Sequence, residues 1–380
     1  MKLAYVTASD PLNVRPWSGI PYYVGKSLHN QMIPIEQIGP LAEQSTVKVL
    51  CKLKRYYHTL GQKRYLKDPE PLRLKSYAKQ IQTKLKQTQA DIVFSVTQRP
   101  ITYLECRQPI VFWADANFAG LLNFYPQYCN LCSETIRDGH YMESLILQKC
   151  SLGIYASEWA AKTAVENYDV DPAKIKVVPF GANLDHQLTF DEVKTFVDLR
   201  SEKKCKLLFL GVDWFRKGGD IAFEVAKSLN QSGLATELTI VGCEPVLDEP
   251  LPSYLKPLGF VSKSTREGQE KLRQLLAESH FLILPSKAEC FGVVFSEASS
   301  FGVPSLATKV GGIPSAIRDG INGNLFSPDA EIDEYCNYIS NLFINYTEYK
   351  KLAMSSFQEY RSRLNWSVSG KTVKHLLKEL

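Results

Sequence analysis

The sequence contains no hydrophobic run long enough to span a membrane. Its opening residues, MKLAYVTASD, hold too short an apolar stretch for the core of a signal peptide, so we expect a first buried strand there. The nine cysteines are odd in number and lack the spacing of a disulfide framework. These features predict reduced thiols in a cytoplasmic protein.

Motifs for metal ions and for nucleotide phosphates are equally scarce. Cys129 and Cys132 form one C-x-x-C pair, but no second pair lies near enough to complete a zinc site. Asp169 and Asp171 have the spacing of a metal-binding D-x-D pattern, yet they lie where a helix should end and an Asp-Pro turn begin. The chain also lacks a P-loop and a G-x-G-x-x-G turn. We therefore predict no metal site, and any phosphate has to be bound by other means.

The composition, 44% hydrophobic and 22% charged residues, is that of a folded globular protein. The length of 380 residues exceeds that of one ordinary domain and predicts two. The second half alternates apolar strands with amphipathic helical segments, from KLLFLG at 206–211 to FLILP at 281–285. The first half shows the same alternation, which is typical of α/β folds with parallel, doubly wound sheets. The predicted parts are a Rossmann-like domain over 1–185, a polar linker over 186–204, a second Rossmann-like domain over 205–364 and a returning helix over 365–380.

The densest cluster of polar chemistry follows the strand FLILP and runs from Glu289 to Glu297 as E-C-F-G-V-V-F-S-E. Glu289 is expected at the carboxyl edge of the sheet, where open α/β sheets bind ligands. Glu297 is expected about 7 Å deeper along the following helix. Unpaired backbone N–H groups at the start of that helix would bind an anion between the two carboxylates. The residues that would present them are Phe291, Gly292, Val293 and Val294.

This motif resembles the E-x7-E motif of glycosyltransferase family 4, and the resemblance extends to Gly311-Gly312-Ile-Pro and to Ser157-Glu-Trp159. It implies the GT-B architecture, in which two Rossmann-like domains face a cleft and a C-terminal helix returns to the N-terminal domain. It also implies transfer of a hexose from a nucleoside diphosphate sugar with retained configuration, UDP-glucose being favoured and GDP-mannose next. Glu289 would then contact sugar hydroxyls and Glu297 the two ribose hydroxyls. The acceptor stays open.

Two cations follow the first strand of the second domain. Arg216 and Lys217 lie in G-V-D-W-F-R-K-G-G at 211–219, at the start of a helix. In an enzyme of this family they would neutralise the charge that develops on the leaving phosphate, so that neither a metal ion nor a cofactor is needed. Lys217 matches the family's Lys-Gly pattern. Many members carry an arginine directly after the strand glycine, where this chain has Val212.

The first domain offers two further candidates. Gly19 follows the first strand and would face the diphosphate, although the family usually has a glycine pair here and an ordinary turn is the alternative. Asp115 ends the strand IVFWAD, where many members have a histidine. An aspartate accepts a hydrogen bond from a sugar or acceptor hydroxyl but cannot donate one as imidazole does. Its predicted role is positioning or base assistance, with capping of the strand end as the alternative.

Two other functions remain open at this point. Another enzyme of the GT-B class, such as a nucleotide-sugar 2-epimerase or a cofactor-dependent phosphorylase, would share the fold. A non-catalytic glycosyltransferase-like subunit is suggested by Asp115 in place of histidine.

Positive charge is concentrated in the first domain. The stretch 48–86 holds twelve Lys or Arg residues against Asp68 and Glu70, whereas the net charge of the whole chain is only +5. Its cations alternate with aromatics, which suits a peripheral contact with an anionic membrane or an acidic acceptor. The alternative is a solvated helical face whose long side chains cover apolar surface. Nucleic acid is not expected as a partner. The cations predicted to meet a membrane are Lys52, Lys54 and Arg55.

Overall fold

The computed structural model describes residues 1–185 and 187–380. The chain divides into two compact units. Unit 1 consists of Met1–Val178 together with Ser369–Leu380, and unit 2 of Pro179–Val368. Each unit contains one six-stranded sheet in which every neighbouring pair of strands is parallel. The predicted pair of Rossmann-like α/β domains is therefore confirmed.

The sheet of unit 1 has the strand order β2-β1-β3-β4-β5-β6. Most of its strands are buried along their whole length, because helices cover both faces of a parallel sheet and each strand can be continuously apolar. The strands are β1 Leu3–Val6, β2 Ile35–Ile38, β3 Ile92–Ser95, β4 Ile110–Ala114, β5 Leu152–Tyr155 and β6 Ile175–Val177. The helices are α1 Ile20–Asn30, α2 Ser45–Leu60, α3 Pro71–Leu85, α4 Phe118–Leu121, α5 Ser133–Lys149 and α6 Glu158–Asn167.

The sheet of unit 2 has the order β12-β11-β10-β7-β8-β9. Its strands are β7 Cys205–Leu210, β8 Thr236–Val241, β9 Leu255–Pro257, β10 Phe281–Leu284, β11 Ser305–Thr308 and β12 Gly323–Phe326. Its helices are α7 Phe190–Leu199, α8 Gly219–Gln231, α9 Arg266–Glu278, α10 Val293–Ser299, α11 Ile313–Ala316, α12 Ile332–Ile344 and α13 Tyr346–Arg363. The predicted strands KLLFLG and FLILP correspond to β7 and β10.

The segment 186–204, which the sequence suggests as a linker, contains helix α7, and its residue 186 lies outside the described residues. Thr189 and Glu192 form a capping box at the start of α7. Val193 and Val197 are buried, four residues apart on one face of the helix. This apolar stripe is too narrow to stand out against the charged residues around it, which explains why sequence patterning reads the segment as polar.

The last helix, α14 Trp366–Lys378, begins directly after α13. Asn365 marks the break, because its side-chain oxygen accepts a hydrogen bond from the backbone N–H of Val368 at 3.0 Å. From Ser369 onward the chain belongs to unit 1, where Lys374 donates to the backbone oxygen of Gln31 at 2.6 Å. The returning helix of the predicted fold is thus present.

All nine cysteines are free thiols. Among the helices of the described ranges, none is both long and apolar enough to cross a bilayer.

Candidate functional site

The strand order of unit 2 reverses at β7, which lies between β8 and β10. Ligands of open α/β sheets bind outside the carboxyl ends of the strands at such a reversal. The loops that leave β7 and β10 meet there, since the backbone N–H of Lys287 donates to the oxygen of Arg216 at 2.7 Å. Gly218 has a φ of +74°, and a Cβ there would lie 2.8 Å from the carbonyl carbon of Pro285. Only glycine permits both this conformation and this approach.

Three of the predicted site residues meet at this edge. The Lys217 ammonium forms an ion pair with Glu289, and both side chains are largely buried. Arg216 lies beside them, with one guanidinium nitrogen 4.0 Å from Glu289 and donating to the backbone oxygen of Ala288 at 3.0 Å. The residues come from loops 72 positions apart in sequence. Two cations therefore converge on Glu289, and the carboxylate of Asp213 also lies 3.4 Å from the Arg216 guanidinium.

The start of α10 depends on Gly292. This glycine caps the helix in the left-handed region with a φ of +81°, and a Cβ there would lie 2.6 Å from the ring of Phe295 and 3.2 Å from Cγ of Glu289. The backbone of Val293 and Val294 follows at the first positions of the helix, where N–H groups have no partner within the helix. Phe291 is buried, and its ring packs edge-on against Phe180 at 5.7 Å.

Glu297 lies deeper in α10, and only 2% of its side chain is exposed. It forms an ion pair with the ammonium of Lys263, whose side chain is 38% exposed. A carboxylate so buried needs a cation or hydrogen-bond donors, because burying an unpaired charge costs several kcal/mol. Sequence reasoning missed Lys263. A buried Glu297 predicts that some cation must lie beside it, but the sequence does not show which lysine does so.

The remaining two predicted residues, Gly19 and Asp115, lie in unit 1. Trp17, Ser18 and Gly19 all have positive φ angles, of 49°, 54° and 87°. Such a run is uncommon for residues other than glycine. The loop meets the end of β4, because the indole N–H of Trp17 donates to the Asp115 carboxylate at 3.1 Å. The loop after β1 and the strand-end aspartate are therefore in contact at the carboxyl edge of the first sheet.

Carboxylates elsewhere have local partners. Asp171 accepts a hydrogen bond from the backbone N–H of Ala173 at 2.9 Å, at the start of the short turn that the sequence predicts. In unit 1, Glu70, Glu134 and Asp138 bring carboxylate oxygens within 4.8 Å of one another. Lys54 lies against this group and forms ion pairs with Glu70 at 2.8 Å and with Glu134 at 2.7 Å. A lysine thus already supplies positive charge to these carboxylates.

Comparison with known proteins finds a family model that matches part of unit 2, together with relatives that align with part of the chain. Residues 191–358 match the family model described as glycosyl transferases group 1. A D-inositol 3-phosphate glycosyltransferase of Streptomyces griseus is 32% identical over 193 residues, which are 43% of this chain and 40% of that protein. The chain spans 40% to 60% of the length of the first three curated relatives that it matches.

Solved structures resemble the whole chain. The sucrose-phosphate synthase of Thermosynechococcus elongatus has a TM-score of 0.71 at 14% identity and covers 100% of this chain and 98% of its own. Alr3699/HepE of Anabaena, solved with UDP and glucose, has a TM-score of 0.64 at 18% identity, with both chains covered completely. At such identities the likeness shows the fold, which is the predicted GT-B fold. The chain therefore has the GT-B fold, and its residues 191–358 match the glycosyl transferases group 1 model.

Proposed function

We propose that this chain is a retaining glycosyltransferase that moves a hexose from a nucleoside diphosphate sugar to an acceptor. One observation carries the proposal: Arg216 and Lys217 converge on Glu289 at the strand reversal of a group 1 glycosyl transferase domain. The name of the Streptomyces relative and the UDP and glucose bound by the Anabaena protein support it. UDP-glucose is the favoured donor and GDP-mannose the next.

Donor binding would exchange the partners of both lysines. A diphosphate carries more negative charge than one carboxylate, so it would compete with Glu289 for Lys217. Glu289, released, then accepts hydrogen bonds from hydroxyls of the sugar. Glu297 has two carboxylate oxygens, which match the two neighbouring hydroxyls of a ribose. Lys263, now paired with Glu297, would either stay beside the ribose or turn toward the solvent.

In the proposed reaction, the bond between the anomeric carbon and the β-phosphate oxygen breaks, and its electron pair goes to that oxygen. Arg216 and Lys217 stabilise the negative charge that develops on this oxygen. Electrostatic stabilisation of this kind is usually the largest single contribution to catalysis. The acceptor oxygen attacks the anomeric carbon from the same face, so the configuration is retained, and its proton passes to the leaving phosphate. These cations supply the charge that a metal ion would, so the scheme contains neither a metal nor a cofactor.

Unit 1 would hold the acceptor. Asp115, fixed by the indole of Trp17, is proposed to accept a hydrogen bond from an acceptor or sugar hydroxyl and so to position it. The backbone at Gly19 would meet the donor's diphosphate. The basic stretch 48–86 supports, as part of the same proposal, a peripheral association of this unit with an anionic membrane.

The test separates the two glutamates. Glu297→Ala should raise the Kd for UDP, whereas Glu289→Ala should mainly lower kcat, because its partner is the reacting sugar. Loss of one hydrogen bond to a charged group costs about 1.5–3 kcal/mol, which is about 10-fold to 150-fold in either constant. Glu278→Ala is the matched control, since Glu278 also forms an ion pair with a lysine of unit 2, Lys206 at 2.8 Å.

Near-wild-type constants in both site variants would contradict the assignment. Product analysis with the wild-type protein decides between the classes of function. Conversion of the donor to an epimer without any acceptor would indicate an epimerase. Binding of UDP without any turnover of nucleotide sugars, by transfer or by hydrolysis, would indicate a non-catalytic subunit.

A further inference from the structure

Helix α2 of unit 1 carries large apolar side chains on its outer surface. Val49, Leu53, Tyr56 and Leu60 are 55–69% exposed, and the neighbouring Tyr57 is 71% exposed. The first four are separated by four, three and four residues, which places them on one face of the helix. They form a continuous apolar stripe along most of the helix, which we call the outer stripe.

The opposite face attaches α2 to the rest of unit 1. Val47 and Cys51 are buried there, and Lys54 and His58 follow on the same face. Lys54 forms ion pairs with Glu70 and Glu134, and His58 contacts Glu134 at 3.1 Å. This face is offset from the outer stripe by two positions, or about 200° around the helix. The helix is therefore held by one side and presents the outer stripe on the other.

Positive charge borders the outer stripe. Lys48, Lys52 and Arg55 are exposed, and in the described part of the chain no ion pair involves them. The sequence from 44 to 67 contains no Asp or Glu at all. Lys54, which the sequence groups with Lys52 and Arg55, belongs instead to the inner face. The surface offered to a partner is thus apolar with a border of unneutralised cations.

We propose that the outer stripe of α2 inserts into the interfacial region of an anionic lipid bilayer. The apolar side chains would enter the boundary between head groups and acyl chains, where amphipathic helices of this kind lie. The hydroxyls of Tyr56 and Tyr57 stay at the level of the head groups, as is usual for aromatic residues at membrane interfaces. Lys48, Lys52 and Arg55 meet lipid phosphates. The inference deepens the proposed membrane association of the glycosyltransferase and rests on it.

Charge decides between a bilayer and a second copy of this chain. In a two-fold dimer the same surface would face itself, so that Lys52 and Arg55 of both copies would lie across one interface. No acidic residue between 44 and 67 is available to pair with them. Like charges brought together in an interface oppose association. An anionic lipid surface, in contrast, satisfies both the apolar stripe and its cationic border.

The experiment measures co-sedimentation of the full chain with phosphatidylcholine vesicles prepared with and without phosphatidylglycerol. We expect binding only to the anionic vesicles. Leu53→Ser combined with Leu60→Ser should weaken it by about 10-fold or more for each leucine. Lys52→Gln combined with Arg55→Gln should weaken it by about 5-fold for each charge. Binding of all forms should decrease as salt is added, because exposed charges are screened beyond about 10 Å at 0.1 M.

Two control variants carry substitutions of the same kind at exposed positions outside α2. Leu199→Ser with Leu251→Ser alters exposed leucines of unit 2, and Lys79→Gln with Lys84→Gln removes two exposed cations of α3. The leucine control should bind anionic vesicles as tightly as the wild type does. The lysine control should weaken vesicle binding less than the combined Lys52→Gln and Arg55→Gln substitutions. Equal losses in the α2 pairs and in their controls would overturn the assignment to the outer stripe.

Stabilisation by UDP, measured on the same variants, distinguishes this inference from the proposed transfer reaction. Absence of vesicle binding at low salt, with stabilisation by UDP intact, would overturn the membrane inference and leave the proposed reaction standing. A dimer in solution that Leu53→Ser with Leu60→Ser dissociates, without any vesicle binding, would assign the outer stripe to self-association. Vesicle binding that these substitutions abolish, with stabilisation by UDP retained, would support the inference.

Discussion

Substitution of Gly292 by alanine tests the backbone at the start of α10. Gly292 has a φ of +81°, a region that costs an L-residue about 1–2 kcal/mol. The new Cβ would also lie 2.6 Å from the buried ring of Phe295, so that the ring or the helix has to shift. Overpacking of this kind costs about 1–3 kcal/mol. We expect Gly292→Ala to lower the free energy of unfolding by about 2–5 kcal/mol.

Gly233→Ala is the matched control. Gly233 also lies in unit 2 with a positive φ, of +94°, but a Cβ there would meet nothing within 4 Å. The free energy of unfolding of Gly233→Ala should therefore fall only by the cost of the backbone conformation, about 1–2 kcal/mol. The difference between the two variants isolates the steric contacts of the new Cβ, with the ring of Phe295 and with Cγ of Glu289.

The assay is urea denaturation followed by circular dichroism, with and without UDP. A ligand at 100 times its Kd stabilises by about 2.7 kcal/mol, which the method resolves. Gly292→Ala should lose most of this stabilisation, because the Cβ would also press on Glu289 at 3.2 Å and displace the start of α10. Gly233→Ala should keep it. Equal unfolding free energies and equal stabilisation by UDP in the two variants would refute the reasoning.

Two further predictions concern metal ions and pH. Turnover should survive exhaustive chelation with EDTA, because Arg216 and Lys217 supply the positive charge in the proposed reaction; loss of activity that magnesium or manganese restores would contradict this and return attention to Asp169 and Asp171. Burial, together with the nearby charge of Arg200, lowers the pKa of His280 to about 3, and its ring accepts from the backbone N–H of Lys206. Below its ordinary pKa of about 6.5 the unfolded chain binds a proton that the folded chain does not, so stability should fall by about 1.4 kcal/mol for each pH unit toward 3. Between pH 7 and pH 5 the wild type should therefore lose about 2 kcal/mol more than His280→Gln in urea denaturation, and equal losses would show that His280 titrates normally.

The sequence by itself determined the fold class and predicted which residues of unit 2 form the candidate site. Buried strands appear as short apolar runs and surface helices as an apolar period of about 3.6 residues, and both patterns are local in sequence, so they can be read directly from the chain. The position of Glu289 after β10 and the cap at Gly292 follow from the same local pattern. The short helix α7 was not predicted from this pattern, because two buried valines make too weak an apolar stripe among charged neighbours.

The tertiary structure decided which side chains meet. Lys217 and Glu289 belong to loops 72 residues apart, and only the order of β7 and β10 in the sheet brings them together. Lys263 became the partner of Glu297 in the same way. In α2 the sequence shows cations and aromatics, but it does not reveal which side of the helix packs against the rest of unit 1. Lys54 turns inward because Glu70 and Glu134 lie there, and the outer stripe is left exposed because no element of unit 1 covers that face among the described residues.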